Sequence, residues 1–132
     1  MDYKKQQDRR LRHILSTPFI WVNIVPIILA DIVIELYHRI CFPLYGLEYI
    51  SRKKYIAIDR HKLEYLGWFD KMNCVYCGYV NGWFRYGAKI ANVTEQYWCA
   101  IKHSSREGYF PEQYQDEFME YGDEMTFREL TK

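Results

Sequence analysis

The run Phe19-Ile-Trp-Val-Asn-Ile-Val-Pro-Ile-Ile-Leu-Ala30 constrains this chain more than any other stretch, because Asn23 is its only polar side chain. As a helix, twelve residues rise about 18 Å, short of a hydrocarbon core about 30 Å thick. Extension to Tyr37 reaches spanning length but brings in Asp31 and Glu35. A carboxylate near the bilayer centre costs about 2.5–3.5 kcal/mol, so two of them one turn apart disfavour an ordinary crossing. Pro26 removes a backbone donor mid-run and predicts a break or kink. Both flanks are basic. Residues 1–13 hold five Lys/Arg against two acids, a net +3, and residues 39–62 hold six against two, a net +4. A single crossing concentrates positive charge on one side, whereas two basic flanks ask for the same side. The expectation is a re-entrant or interfacial helical hairpin over residues 14–42. It would place Phe19, Ile20, Trp21, Val22, Ile24, Val25, Pro26, Ile27, Ile28 and Leu29 in lipid. A core helix of a soluble protein and a plain transmembrane helix are the rival readings. A secretory signal fits badly, since no small-residue cleavage pattern follows the apolar run.

The remaining residues have room for one small domain beside that segment: the chain is 132 residues long. A hydrophobic content of 49% with 18% aromatic residues excludes a disordered or coiled-coil chain. With 18 Lys+Arg against 17 Asp+Glu, no whole-chain charge argues for nucleic-acid binding. The charge is unevenly placed, however. Residues 104–132 carry three basic residues against eight acids, a net −5. The sequence thus divides into a basic arm (1–13), a membrane-associated helical segment (14–50), a helical Cys/His domain (51–103) and an acidic tail with a short helix (104–132). The overall expectation is an all-α or mainly α protein.

The sharpest chemical pattern is Cys74-Val-Tyr-Cys77 followed by Cys99-Ala-Ile-Lys-His103, a C-x2-C pair and a C-x3-H pair. Three thiolates and an imidazole at these spacings suit a tetrahedral zinc site, with four protein ligands closing it and leaving no position for catalytic water. Iron or an iron–sulfur cluster is the alternative occupant. The pairs must double back to meet, because a continuous helix would hold Cys74 and Cys99 about 37 Å apart. Gly87-Ala-Lys-Ile-Ala-Asn92 is the expected break, and Asn92-Val-Thr-Glu95 the cap of a second helix. A hairpin at Asn81-Gly82 is a competing expectation. Cys41, beside the membrane segment, reads as a packed small side chain or an acylation target.

A second polar set consists of Asp31, Glu35 and His38 on one helix face, with His61 and Glu64 in mirror order further on. Glu-x-x-His spacing occurs in carboxylate-bridged di-iron bundles, but these need four carboxylates from four helices. The simpler reading is an interfacial polar face with Asp31 paired, since an unpaired buried charge is costly. Asp59 is the expected cap of a helix from Arg60 to about Met72. Pro111 is the expected start of an acidic helix whose seam is Tyr114, Phe118, Tyr121 and Met125. Nucleophile motifs, phosphate loops and paired catalytic acids at recognisable spacing are absent, so no enzymatic activity is read from this sequence.

The words Ile40-Cys-Phe-Pro-Leu-Tyr-Gly46, Ile58-Asp-Arg-His61, Asn73-Cys-Val-Tyr-Cys77 and Thr94-Glu-Gln-Tyr-Trp-Cys-Ala-Ile-Lys-His103 resemble those of a group of small bacterial membrane-associated proteins. The likeness covers roughly residues 14–103 and implies a bacterial setting, without an activity. The expected role is an accessory or adaptor subunit on the cytoplasmic face of the bacterial inner membrane. Its partners would be lipid and another protein, not nucleic acid. A redox protein using the same Cys/His residues and a soluble zinc-stabilised binding domain are the alternatives.

Overall fold

The computed structural model describes residues 10–131, which are mainly helical as expected. Helices α1 (Arg10–Val22) and α2 (Ile24–Tyr45) follow one another with Asn23 alone between them. Pro26 cannot donate to the carbonyl one turn earlier. The Asn23 side chain takes the Phe19 carbonyl at 2.6 Å, while its backbone N–H makes a short-turn bond to Ile20 at 3.3 Å. Asn23 nevertheless keeps helical dihedrals, φ −65° and ψ −17°. The hairpin expectation is corrected here: reversal between antiparallel helices takes a loop of about two to five residues, and one residue in helical conformation carries the chain onward.

Gly46 ends α2 in the left-handed region at φ 72°. Its N–H and that of Leu47 close on the carbonyls of Pro43 and Phe42, at 3.2 and 2.9 Å, the bonding of a Schellman turn. The chain then returns along α2 as an irregular segment with single 3₁₀ turns at Arg52–Lys54 and Arg60–Lys62. The helix expected from Arg60 does not form. Asp59 makes no capping bond, and Gly67 would cost about 1 kcal/mol inside a helix. Helix α3 starts only at Trp68, after Gly67 accepts the Lys71 N–H at 3.0 Å.

Helix α3 (Trp68–Trp98) runs for 31 residues. Gly78 and Gly82 lie one turn apart and let residues 55–58 approach its backbone. A Cβ at Gly78 would stand 2.7 Å from the Ala57 carbonyl oxygen, and one at Gly82 2.7 Å from the Ile56 Cα. Asn81-Gly82 is therefore a close-packing site within a helix, and no hairpin turns there. The break expected at Gly87–Asn92 is also absent. Tyr86 and Ile90, 0% and 3% exposed, anchor that stretch in the core. Burial of two such side chains outweighs the helix cost of one Gly and one Asn.

The chain divides into two compact units, the first ending at Arg85 and the second starting at Tyr86. In the second, Tyr86, Ile90, Gln115 and Phe118 are buried. Ile101 and Met119 form a lone parallel bridge, with Lys102 N–H donating to Met119 O at 2.8 Å and Met119 N–H to Ala100 O at 2.9 Å. The tail forms a 3₁₀ turn at Gln113–Gln115 and helix α4 (Glu124–Leu130) in place of one helix from Pro111. Gly122 at φ 85° turns the chain between them, which leaves Phe118 buried but Tyr121 and Met125 exposed.

Candidate functional site

Helix α2 is built inside out. Its buried residues, Ile27, Asp31, His38 and Phe42, recur at helical spacing and form one stripe that includes a carboxylate and an imidazole. Its opposite face exposes Val25, Ile28, Leu29, Ile32, Val33, Leu36, Ile40 and Leu44, between 44% and 76% accessible. Of the residues expected in lipid, Phe19, Ile20, Val22, Val25, Pro26, Ile28 and Leu29 are exposed, Trp21 and Ile24 half-buried, and Ile27 buried against the chain. Taken across the break, Ile14–Tyr45 is 32 residues of helix long and apolar enough to cross a membrane, and only 11% of its most apolar stretch is buried.

The polar stripe is fully engaged by the return segment and α3. Arg52 grips Asp31 with both terminal nitrogens, Nη1–Oδ1 at 2.5 Å and Nη2–Oδ2 at 2.7 Å, and reaches Glu35 Oε2 at 3.3 Å. The Tyr79 hydroxyl donates to Asp31 Oδ2 at 2.6 Å. Glu35 Oε1 accepts from Arg39 Nε at 2.7 Å and from the Tyr49 hydroxyl at 3.2 Å. His38, with no exposed surface, accepts the Ile50 N–H on Nε2 at 3.1 Å and lies between Tyr49, stacked at 4.5 Å, and Phe42, edge-on at 4.4 Å. Accepting on Nε2 requires the neutral ring, and burial lowers its pKa accordingly. Burial pulls Asp31 upward, but the Arg52 and Tyr79 hydrogen bonds outweigh it and hold the carboxyl below its usual range. Burial, with the Asp31 carboxylate beside it, pushes Tyr79 up to about 12. Two acids and two arginines neutralise one another, and the carboxylate oxygens are committed to donors rather than open to a metal.

The expected Asp31, Glu35 and His38 face thus exists, and pairing is its chemistry. His61 and Glu64 do not join it: His61 sits in the second 3₁₀ turn and Glu64 is exposed in the turn beyond. Sequence spacing does not join Arg52, Tyr49 and Tyr79 to Asp31, Glu35 and His38. The available signal was the basic excess after residue 39 and the short distance from Gly46 to Arg52.

The Cys/His residues are placed differently from the zinc expectation. Cys74 and Cys77 lie on α3, Cys99 directly follows it, and His103 is in the irregular stretch beyond. The helical break that would bring the two pairs together is missing. No group of three or more His, Cys, Asp or Glu side chains able to hold a metal ion occurs among the described residues, so the four are not assembled as a donor set for zinc or iron. None of Cys41, Cys74, Cys77 and Cys99 is in a disulfide. His103 is instead an exposed side chain 3.9 Å from Glu95, in edge contact with Tyr109. Glu95 itself accepts from the Tyr114 hydroxyl and, at 3.2 Å, from Gln115 Nε2, which fastens the 113–115 turn to the end of α3. Burial, with Glu95 adjacent, pushes Tyr114 up to about 12. No known protein family, curated protein or solved structure matches this chain.

Proposed function

We propose that this chain is a monotopic membrane protein, an adaptor that lies on a lipid surface by the apolar face of α1 and α2. The observation that carries the reading is the inversion of α2, with eight aliphatic side chains outward and Asp31 and His38 inward. Water selects the opposite arrangement. At about 1.5–3 kcal/mol for fully burying one such side chain, eight half-exposed ones offer on the order of 10 kcal/mol to an apolar phase. Intramembrane charges characteristically face protein and pair, as Asp31 and Arg52 do.

The return segment favours lying in the interface over crossing it. From Tyr45 back to Asp31, α2 covers 14 residues, about 21 Å, and the six steps from Gly46 to Arg52 reach about 20 Å when extended. Irregular backbone and the exposed Lys53 and Lys54 therefore lie beside the middle of α2. In a crossing orientation they would stand in hydrocarbon, where unpaired backbone and ammonium groups are costly. In the plane of the surface, the apolar face meets acyl chains while the return segment and its lysines face headgroups and water.

The adaptor role rests on the second unit, whose exposed Phe110, Tyr121, Met125, Phe127 and Leu130 are interspersed with acids and offer a contact surface for a protein partner. Co-sedimentation with phosphatidylcholine vesicles tests the membrane reading. The parent chain pellets with vesicles, and a Leu29→Asp, Ile32→Asp, Leu36→Asp variant remains in the supernatant with unchanged far-UV dichroism. A parent chain that is monomeric without detergent and ignores vesicles refutes it.

A further inference from the structure

Beside the break between α1 and α2 lies a cavity of about 320 Å³ in the first unit, lined by Trp21, His61, Trp68, Lys71, Met72 and Val75. Its geometry is fixed by the fold. Tyr76 packs on Trp21 with ring centroids 5.1 Å apart and donates its hydroxyl to the Ile20 carbonyl at 2.8 Å, so α3 is held against the end of α1. The second 3₁₀ turn brings His61, and the first turn of α3 brings Trp68 and Lys71.

The wall is apolar apart from two basic residues, and neither has a counterpart. Lys71 is half-buried as a residue, lines the cavity from the first turn of α3 and makes no ion pair among the described residues. The Nδ1 atom of His61 is buried and has no hydrogen-bond partner among the described residues. The Trp83 Nε1 on α3 is the other buried side-chain nitrogen without a partner among the described residues, and it lies outside the cavity lining. Trp21 is flanked in sequence by the exposed apolar residues Ile20 and Val22. Trp68 in the wall is 75% exposed and Tyr65, three residues earlier, is 81% exposed, while Arg60 and Lys62 flank His61 in the second 3₁₀ turn. Exposed aromatic rings with amphipathic edges belong at headgroup level.

We infer that this cavity is a binding site for one anionic phospholipid, with the phosphate at Lys71 and the first acyl carbons between Trp21, His61, Trp68, Met72 and Val75. A single ammonium matches the single negative charge of a phosphatidylglycerol phosphodiester. The same ammonium repels the trimethylammonium of phosphatidylcholine, so the site discriminates between two lipids of equal chain length. The inference rests on the membrane reading above, and the two fail in different ways.

The test is native mass spectrometry of the full chain in a mild nonionic detergent, titrated with dimyristoyl phosphatidylglycerol or dimyristoyl phosphatidylcholine. One phosphatidylglycerol is retained per chain in preference to phosphatidylcholine. Lys71→Glu weakens that retention about ten-fold, the equivalent of about 1.4 kcal/mol. Lys89→Glu makes the same charge change at an exposed residue of α3 outside the cavity and leaves retention unchanged, while Lys71→Arg restores it. Trp68→Ala lowers retention of both lipids, with dichroism confirming that the helices persist. Equal retention of the two lipids, equal loss in the Lys89 and Lys71 variants, or a co-purified molecule that is not a phospholipid overturns the inference. Pelleting with phosphatidylcholine vesicles in those cases leaves the membrane reading standing, and failure to pellet with any vesicle removes that reading instead.

Discussion

Replacing Arg52 by Met strips the bidentate partner from Asp31 while keeping an unbranched side chain along α2. Two limits bracket the cost. An exposed ion pair is worth about 0–1 kcal/mol, whereas removing one partner of a buried pair costs about 3–5 kcal/mol because a charge is left stranded. Asp31 is 8% exposed and the Arg52 side chain 29% exposed, so the loss falls between them, at about 2–3 kcal/mol. Tyr79 still donates to Asp31, which keeps the value off the upper limit. The stranded charge, rather than the lost attraction, dominates this cost. Asp31→Asn together with Arg52→Met therefore costs less than the two single changes added, by about 1–2 kcal/mol. Guanidinium unfolding followed by helical dichroism, at fixed detergent concentration, gives all four stabilities. Strict additivity, or an Arg52→Met cost below about 0.5 kcal/mol, refutes the claim that this pair clamps the return segment to α2.

Two further outcomes are expected. Gly82→Ala improves helix propensity by about 1 kcal/mol but drives a methyl against the Ile56 backbone, so net stability falls, and Gly82→Leu falls by about 1–3 kcal/mol more; an alanine variant as stable as the parent refutes the close approach. The folded-state pKa values of His38 and Asp31 both lie below their ordinary values of 6.5 and 3.8, so the unfolded chain takes up each proton first. Stability therefore declines in two steps as pH falls, first below about 6.5 as His38 is driven to charge beside Glu35 and Arg39, then below about 3.8 as Asp31 is protonated. His38→Gln, which keeps an acceptor for Ile50 N–H, removes the first step in a pH series of unfolding curves, and persistence of that step in the variant refutes the assignment.

Local periodicity carried some of this structure and long-range pairing hid the rest. The i, i+4, i+7 spacing of Asp31, Glu35 and His38 correctly put them on one face, because helix geometry depends only on neighbours in sequence. Nothing local says that Arg52 and Tyr79, 21 and 48 residues further on, arrive at the same carboxylate. Pro26 and Asn23 were sound signals of a discontinuity, yet the discontinuity became a one-residue interruption, since Asn23 itself supplies the missing donor to Phe19. Gly87 and Asn92 misled for a different reason. Propensity costs of about 1 kcal/mol per residue are small beside the burial of Tyr86 and Ile90, so α3 continues where the sequence suggested a stop. The metal reading depended on that stop.

Surface connections usually tolerate changes in length, because closing a slightly longer loop costs little entropy. The stretch from Gly46 to Arg52 is an exception that α2 imposes. It leaves α2 at Gly46 and is then pinned at three nearby positions, Tyr49 to Glu35, Ile50 to His38 and Arg52 to Asp31. Deleting or inserting one residue shifts the alternation that points Tyr49 and Ile50 at Glu35 and His38. This connection consequently behaves as a ruler, and among homologues its number of residues should vary less than their identities.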